Sequence, residues 1–384
     1  MTRRKKIAVI FGTRPDTIKL APIILALQRE RRFSVVTIAT AQHRQMLDQV
    51  LDVFHIKPDY ALNSMRKRQT LADITKNTIA GLDKILEQEQ PEMVLVQGDT
   101  TTTFVGSLAA FYRSIPVGHV EAGLRTDNKA DPFPEEINRR LTSAIADLHF
   151  APTGTAKEAL LKENIDPKSI FVTGNSVIDA LKIAVRRKYT FSIPLLNKAT
   201  AKERQVVLVT MHRRENWGTP MEGAARAIKR LAERYENLNF IFPVHLNPIV
   251  RQVVFPILTE TSNVFLIEPL DYLDFVNLMV RSHLILTDSG GVQEEGPALG
   301  KPVLVLREVT ERPEAVEFGT AQLVGLDEER IFVTARKLLE DKKAYAAMSN
   351  ATNPYGDGLA ARRTIHALKG YFGFSKSPFK EFKP

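Results

Sequence analysis

The chain is predicted to be an α/β protein with two lobes, each built on a parallel β-sheet with helices on its faces. Three observations predict this fold class. Short apolar runs alternate with segments of helical period along most of the 384 residues, and the alternation is interrupted once, near residues 180–204. The length fits two or three domains of roughly 100–200 residues each. The composition, 44% hydrophobic and 25% charged, excludes disorder as the main state.

The first lobe is predicted over residues 1–180. It opens with an apolar run at Lys6–Phe11 that is typical of a strand buried on both faces, and a helix over Ile18–Leu27 follows. The alternation continues with a strand at Ser34–Ala39, a helix at about Arg44–Phe54, a strand at Glu92–Val96, a helix at Thr102–Tyr112 and a strand at Pro116–Val120. This spacing indicates βαβ units.

A linker is predicted over 181–204, and a second lobe over 205–359. The second lobe is predicted to contain strands at Gln205–Thr210, Phe240–Val244, Val264–Ile267, Leu284–Thr287 and Pro302–Leu306. An amphipathic helix follows the first of these strands, with apolar residues at Met221, Ala224, Ala225, Ile228, Leu231 and Ala232. Residues 360–384 carry a last helix that either completes this lobe or crosses back onto the first. We therefore expect two Rossmann-like lobes whose parallel sheets face a cleft, with functional residues after the strands of both.

The charge balance favours an anionic small-molecule ligand. Lysine and arginine number 53 against 44 aspartates and glutamates, a net charge of +9 that suits either nucleic acid or an anionic small molecule. The basic pairs are scattered and no aromatic-interleaved basic stripe is present, so nucleic acid is disfavoured as a partner. The absence of cysteine excludes disulfides, thiolate metal sites and a cysteine nucleophile.

Cofactor and targeting motifs are also missing. No G-x-G-x-x-G follows a strand, residues 296–302 fall one residue short of a P-loop, and the eight histidines show no H-x-x-x-H pair. We therefore expect no cofactor and no metal. The apolar run after the charged start MTRRKK is too short for a signal peptide, and no run approaches the roughly 18 apolar residues of a membrane span. These features predict a cytoplasmic protein with no membrane partner.

The loop after the first predicted strand, residues 12–19 (GTRPDTIK), combines a glycine turn with two cations. Arg14 and Lys19 stand near a predicted helix N-terminus, where they suit a diphosphate. An ordinary strand-to-helix turn with solvated charges is the alternative interpretation.

Acidic residues follow later strands of the first lobe. The carboxyl ends of parallel strands share one sheet edge, so Asp99, Glu121 and Glu135 are predicted to gather there. Their mutual repulsion would raise at least one pKa into the range useful for proton transfer. As alternatives, Asp99 would be a helix N-cap, and Glu135 or Glu136 would serve the dipole of the helix that they open.

Two loops of the second lobe suit an anionic ligand. His212 directly follows a predicted strand and precedes Arg213 and Arg214, although a structural, hydrogen-bonded histidine is an equal alternative. Residues 286–295 (LTDSGGVQEE) combine a strand, a glycine turn and a helix start. The backbone N–H groups of such a turn can hold a phosphate, and a carboxylate one helical turn later can reach ribose hydroxyls.

In this order, the motifs resemble the non-hydrolysing UDP-N-acetylglucosamine (UDP-GlcNAc) 2-epimerase family, which has a GT-B-like fold. The resemblance runs from about residue 11 to about residue 325. It rests on FGTRPDTIKLAP, QGDTTTT, HVEAGLRT, PFPEEINRR, TGNSVIDAL, HRRENWG, EPLDYLDF and TDSGGVQEEGPALGKPVLVLREVTERPEA. Each segment is weakly specific alone, and their combined order is highly specific.

The resemblance implies an isomerase that inverts C2 of the sugar and interconverts UDP-GlcNAc and UDP-N-acetylmannosamine (UDP-ManNAc), for cell-surface polysaccharide synthesis. The C2 proton is not next to a carbonyl, so the implied route eliminates UDP to give 2-acetamidoglucal. Re-addition of UDP with protonation from the other face then inverts C2. The route needs no redox cofactor. A homodimer is also implied.

The matching motif positions imply roles for individual residues. The acid–base set would be Asp99, Glu121, Glu135 and His212, with the residue that removes the proton left open. The nucleotide would contact Arg14, Lys19, Ser289, Gly290, Gly291, Glu295 and Arg312, with Leu270 and Phe275 beside the uracil. A second UDP-GlcNAc, acting as an allosteric activator, would contact Gln42, His43, Gln45, Arg68, Arg213 and His245.

Two departures from the family pattern stand out. Asp16 replaces the usual glutamate after GTRP, and Ala41 replaces the usual glycine before QHR. Alanine does not adopt positive φ as freely as glycine, so the activator loop is predicted to differ. The alternatives to the epimerase are a hydrolysing 2-epimerase, a GT-B glycosyltransferase, an epimerase of a modified UDP-GlcNAc, and a non-enzymatic binding protein.

Overall fold

The structure is a computed structural model that describes residues 4–40, 44–62, 69–201 and 204–384. The chain divides into two compact units. The first contains Met1–Ile183 and Tyr355–Pro384, and the second contains Ala184–Pro354. Each unit has its own parallel sheet with helices, which confirms the predicted two-lobe α/β class.

The sheet of the first unit is parallel throughout its described strands. They are β1 (Lys5–Phe11), β2 (Phe33–Ala39), β3 (Tyr60–Ala61), β4 (Met93–Gln97), β5 (Val117–Val120), β6 (Leu148–Ala151) and β7 (Ile170–Val172). Their order is β3-β2-β1-β4-β5-β6-β7. The five residues from Ile7 to Phe11 are at most 1% exposed, as the unbroken apolar run predicts for a strand covered on both faces.

Helices connect these strands. They are α1 (Arg14–Arg29), α2 (Arg44–Phe54), α3 (Leu71–Glu89), α4 (Thr101–Tyr112), α5 (Glu135–Ile145), α6 (Gly154–Lys162) and α7 (Ser176–Ala184). Local capping fixes several starts; Thr70, for example, caps α3 by accepting from the N–H of Asp73 at 3.1 Å.

The second unit repeats this plan. Its strands are β8 (Gln205–Thr210), β9 (Leu238–Pro243), β10 (Val264–Ile267), β11 (Ser282–Thr287), β12 (Val303–Val305) and β13 (Ala321–Leu323), in the order β10-β9-β8-β11-β12-β13. Its helices are α8 (Pro194–Ala199), α9 (Thr219–Arg234), α10 (Pro248–Leu258), α11 (Tyr272–Arg281), α12 (Gly290–Ala298), α13 (Pro313–Glu317), α14 (Glu328–Glu340) and α15 (Lys342–Ser349). The apolar face predicted for α9 is buried in the core of this unit.

The C-terminal helix α16 (Ala360–Tyr371) belongs to the first unit, where it packs against α1. Its residues Ile365 and Leu368 are buried. The sequence left two positions open for this helix, and the structure places it on the first unit. The predicted linker 181–204 holds the end of α7 and the whole of α8.

Both strand orders reverse at one point, between β1 and β4 in the first unit and between β8 and β11 in the second. Open α/β sheets bind ligands outside the carboxyl ends of the strands at this switch point. The loops after these four strands are therefore where each unit should carry its functional side chains. No helix of the described residues is long and apolar enough to cross a membrane.

Candidate active site

The loop after β1 is held by Asp16. Its carboxylate accepts hydrogen bonds from the backbone N–H groups of Gly12 at 2.9 Å and Thr13 at 2.7 Å, and also from the Thr13 hydroxyl. These contacts form a capping box that fixes the start of α1. Burial raises the pKa of Asp16 to about 6, and the three hydrogen bonds oppose this rise. Asp16, which stands where the family usually has glutamate, thus stabilises the loop that carries Arg14.

Gly12 is required by close approach of two side chains. A Cβ at this position would overlap the hydroxyl oxygens of Thr40 and Thr102, which lie 2.9 Å from each other. The backbone of the loop therefore lies directly on the two threonines.

The carboxylate of Glu121, just after β5, is enclosed by donors. The ammonium of Lys19 donates to its two oxygens at 2.5 and 2.6 Å, and Nδ2 of Asn175 donates at 2.8 Å. The side-chain amide of Gln97 donates as well. Glu121 is 7% exposed and has a φ of 62°, an uncommon conformation for a residue with a side chain. Such outliers cluster at functional sites, which favours a functional role for this carboxylate.

Asp99 lies at the same sheet edge. It follows Gly98, and a Cβ on Gly98 would lie 3.4 Å from Oε2 of Glu121. Arg139 holds the Asp99 carboxylate through Nε at 2.9 Å and a terminal nitrogen at 2.8 Å. Thr100, not Asp99, is the N-cap of α4, so the N-cap alternative for Asp99 was wrong.

Glu135 and Glu136 open α5 but differ in environment. Glu136 is fully buried and accepts from Arg139 at 3.2 Å, from Arg140 at 3.0 Å and from the N–H of Thr126 at 3.1 Å. Glu136 therefore has the structural role, and Glu135 is half-buried in the first turn. Cations oppose the predicted repulsion among the carboxylates, because Lys19 contacts Glu121 and Arg139 contacts Asp99.

In the second unit, His212 and Asp288 meet at the switch point. His212 follows β8, Asp288 follows β11, and Nδ1 of His212 lies 3.2 Å from Oδ1 of Asp288. Burial by itself would raise the pKa of Asp288, but His212 and the backbone N–H groups of His212 and Arg213 hold it below its usual value. Asp288 is therefore an ionised carboxylate inside the protein.

The Ser-Gly-Gly turn forms the start of α12. Ser289 is its N-cap but makes no side-chain cap bond, and Gly290 and Gly291 are its first two residues. This places unblocked N–H groups at the positive end of a nine-residue helix, an arrangement that favours anions. Within α12, Glu295 is buried, and Glu294 accepts a hydrogen bond from Nε of Arg312.

The remaining predicted contacts stand on neighbouring loops of this unit. Leu270 is buried just before α11, and Phe275 lies in the first half of that helix. The ring of His245 stacks on that of His212, with centroids 5.8 Å apart. Among the predicted activator residues, Gln42, His43 and Arg68 lie outside the described residues, and only the backbone of Gln45 is described, in α2.

Comparison with known proteins shows the family to which the chain belongs. The family model for UDP-N-acetylglucosamine 2-epimerase matches residues 25–369. The chain is 56% identical to the UDP-N-acetylglucosamine 2-epimerase of Bacillus subtilis over 97% of both chains. It is 51% identical to that of Escherichia coli over 95% of this chain and 98% of the other. The chain belongs to the UDP-N-acetylglucosamine 2-epimerase family.

Solved structures of this family extend the similarity to the fold. A crystal structure of UDP-GlcNAc 2-epimerase from Neisseria meningitidis bound to UDP-GlcNAc has a TM-score of 0.86 and 49% identity, covering 95% of this chain and 100% of the other. The Methanocaldococcus jannaschii enzyme in complex with UDP-GlcNAc and UDP has a TM-score of 0.76 and 36% identity, covering 95% and 99%. The 2-epimerase family and its GT-B-like two-lobe fold, both predicted from the motifs, are thus confirmed.

Several residues at this candidate site were not predicted from the sequence. They are Gln97, Arg139, Asn175 and Asp288, which contact the predicted acids and His212. Gln97, Asn175 and Asp288 lie inside motifs that carry the resemblance, so their position beside a strand end was a usable signal. Arg139 is separated from Asp99 by 40 residues, and no sequence pattern pairs them.

Proposed function

We propose that the protein interconverts UDP-GlcNAc and UDP-ManNAc by elimination and re-addition of UDP. In the first step a base takes the C2 proton, a C1–C2 double bond forms, and the C1–O bond breaks so that its electron pair leaves with UDP. The product is 2-acetamidoglucal. In the second step a UDP oxygen attacks C1 and an acid protonates C2 from the opposite face. Atoms and charge balance without a redox cofactor.

The first unit supplies the carboxylates of the acid–base set in this proposal, and His212 of the second unit completes the set. The carboxylate of Glu121 is held in place by Lys19, Asn175 and Gln97, so it can accept a proton only when one of these donors moves. Lys19 is the donor to move, because a diphosphate competes with Glu121 for its ammonium. Asp99 and Glu135 would serve the other proton transfers at C2.

The second unit supplies the grip on UDP. The N–H groups at the start of α12 and the side chain of Ser289 would bind the diphosphate, whose charge increases as the C1–O bond breaks. Glu295 would contact the ribose, and Leu270 and Phe275 the uracil. Arg312 would contact the nucleotide from its position beside Glu294.

The observation that carries this proposal is identity above 50% to curated 2-epimerases along nearly the whole chain. The test is incubation of the protein with UDP-GlcNAc alone, followed by proton NMR. UDP-ManNAc is expected without accumulation of UDP. Free ManNAc with UDP would identify a hydrolysing 2-epimerase, and an unchanged substrate would favour a transferase that lacks its acceptor.

The finer features implied by the family resemblance form part of the proposal. We expect a homodimer that works in the cytoplasm, and a second UDP-GlcNAc that binds near Arg213 and His245 as an activator. Light scattering tests the dimer. A sigmoidal dependence of the initial rate on UDP-GlcNAc tests the activator, and a hyperbolic dependence would contradict it.

A further inference from the structure

The loop after β8 folds around one oxygen of Asp288. Oδ2 accepts from the backbone N–H of His212 at 2.8 Å, from that of Arg213 at 2.9 Å and from Nδ2 of Asn216 at 3.0 Å. Asp288 is 0% exposed. Because Oδ2 already has three donors, this oxygen holds the loop and leaves the other oxygen for a different partner.

That other oxygen, Oδ1, points at the ring of His212. Among the residues that the structure describes, no aligned hydrogen-bond donor reaches it, and Nδ1 of His212 lies 3.2 Å away. A buried carboxylate oxygen without a donor costs free energy, and a small rotation of the imidazole would bring an Nδ1–H into line. Hydrogen bonds of this kind are often loose without substrate and tighten when it binds.

Three groups set the electrostatics around this imidazole. Asp288 lies on the Nδ1 side, Arg213 is the next residue, and His245 stacks on the ring with an interplanar angle of 24°. Burial and the neighbouring His212 hold the pKa of His245 below its ordinary value, so His245 adds no charge at neutral pH. The buried carboxylate of Asp288 is thus the negative group in contact with the imidazole.

We propose that Asp288 is a positioning residue that holds His212 in the Nδ1–H tautomer, so that Nε2 is the ring atom that exchanges a proton with the substrate. This proposal rests on the acid–base role proposed above for His212. When Nε2 takes a proton, the imidazolium is stabilised by Asp288, and the proton leaves again from Nε2. The switch point places the pair there, because β8 and β11 are neighbours and their carboxyl ends coincide.

The substitution Asp288→Asn isolates this effect. Its side-chain oxygen can still accept from the three loop donors, while its NH₂ group faces Nδ1 and enforces the opposite tautomer. Histidine ¹⁵N NMR should show neutral His212 protonated at Nδ1 in the parent and at Nε2 in the variant. Turnover should fall about 10²- to 10⁴-fold.

Two further variants separate the outcomes. His212→Asn assigns the His212 resonances and shows by its turnover whether the histidine acts in the reaction. Asn216→Ser removes one donor from the same carboxylate and should leave the tautomer of His212 as in the parent. Normal turnover of His212→Asn would contradict the acid–base role of His212. It would not contradict the pairing of His212 with Asp288, which the tautomer in the parent still reports.

The NMR result decides the proposal itself. Protonation of neutral His212 at Nε2 in the parent would overturn it, and this measurement needs no substitution. An unchanged tautomer in Asp288→Asn would overturn it as well. A purely structural Asp288 would lower stability in the variant without changing the tautomer of His212.

Discussion

The two units share the strand order around the switch point but place different chemistry at the carboxyl ends of their strands. In the first unit, carboxylates after β4 and β5 are paired with cations from distant elements, as with Glu121 and Lys19. In the second unit, a histidine and a buried carboxylate stand beside a helix start with unblocked N–H groups. In the proposed function, one sheet edge therefore supplies carboxylates for proton transfer, and the other presents positive potential to an anion.

The difference shows how one topology serves two tasks. The position of the loops is set by the parallel sheet and its reversal point, and the chemistry is set by the few residues that follow each strand. We therefore expect substitutions in the acid–base set, including His212 of the second unit, to reduce turnover, and substitutions around α12 to reduce UDP affinity.

The acid–base set should give the largest effect. We expect Asp99→Asn, Glu121→Gln and His212→Asn each to lower kcat at least about 10²-fold, since each removes a group that carries a proton. Initial rates with UDP-GlcNAc measure this. Asp83→Asn, which breaks a surface ion pair with Arg113, is the matched control and should keep near-normal turnover. Near-normal rates in all three site variants would defeat the assignment.

Loss of the cation at Glu121 should destabilise the first unit. Lys19→Met leaves a buried carboxylate without its charge partner, which costs about 3 kcal/mol in the free energy of unfolding. Urea denaturation measures this cost. The double variant Lys19→Met, Glu121→Met should recover much of the stability and none of the turnover. If the double variant were no more stable than Lys19→Met, the pair would not be the source of the loss.

Removal of the Ser289 hydroxyl should weaken UDP binding and little else. This side chain makes no cap bond in α12, so Ser289→Ala should keep the stability of the parent. The loss of one hydrogen bond to a charged phosphate should raise the Kd for UDP roughly 10-fold, measured by calorimetry. Ser349→Ala, at the end of α15, is the control. An unchanged Kd would remove Ser289 from the nucleotide contacts.

Two histidines, one in each unit, differ in burial, and the buried one should make the stability of the protein depend on pH. His119 is 0% exposed and its Nε2 lies 2.8 Å from the carbonyl oxygen of Gly98, whereas the His212 side chain is 40% exposed. Burial lowers the pKa of His119 to about 3. Below about pH 6.5, His119 therefore binds a proton in the unfolded chain but not in the folded chain. As the pH falls from about 6.5 towards 3, this difference lowers the free energy of unfolding.

The stability difference between the parent and His119→Asn measures this cost. Between pH 6.5 and about 3 the parent should lose up to about 1.4 kcal/mol per pH unit relative to the variant. Urea denaturation at pH 7 and pH 5 checks this. The buried acids Asp16 and Asp179, whose pKa values burial raises to about 6, have the opposite sign, but they are common to both proteins and cancel. A difference independent of pH would contradict the buried, neutral His119.

Long apolar runs made much of the fold predictable. The strand predicted at Lys6–Phe11 is β1 (Lys5–Phe11), and the helix predicted at Thr102–Tyr112 is α4 (Thr101–Tyr112). The short strands β6 and β7 were not predicted: three or four residues do not establish a period by themselves, although β5 and β12, which are equally short, were predicted. The packing of α16 on the first unit depends on long-range contacts that no local sequence pattern encodes.

The candidate site was predictable where motifs are local. Asp99 and Glu121 were recognised from the loops that follow their strands. Their cations were not, because Lys19 reaches Glu121 over 102 residues and Arg139 reaches Asp99 over 40. The same limit hid the pairing of His212 with Asp288, which neighbouring strands bring together across 76 residues.

Isotope incorporation during turnover is the most direct test of the proposed elimination and re-addition of UDP. The protein is incubated with UDP-GlcNAc in D₂O, and C2 of the sugar is followed by proton NMR. We expect UDP-ManNAc that carries deuterium at C2, because the proton removed by the acid–base set is replaced from solvent. UDP-ManNAc that retains hydrogen at C2 would contradict it.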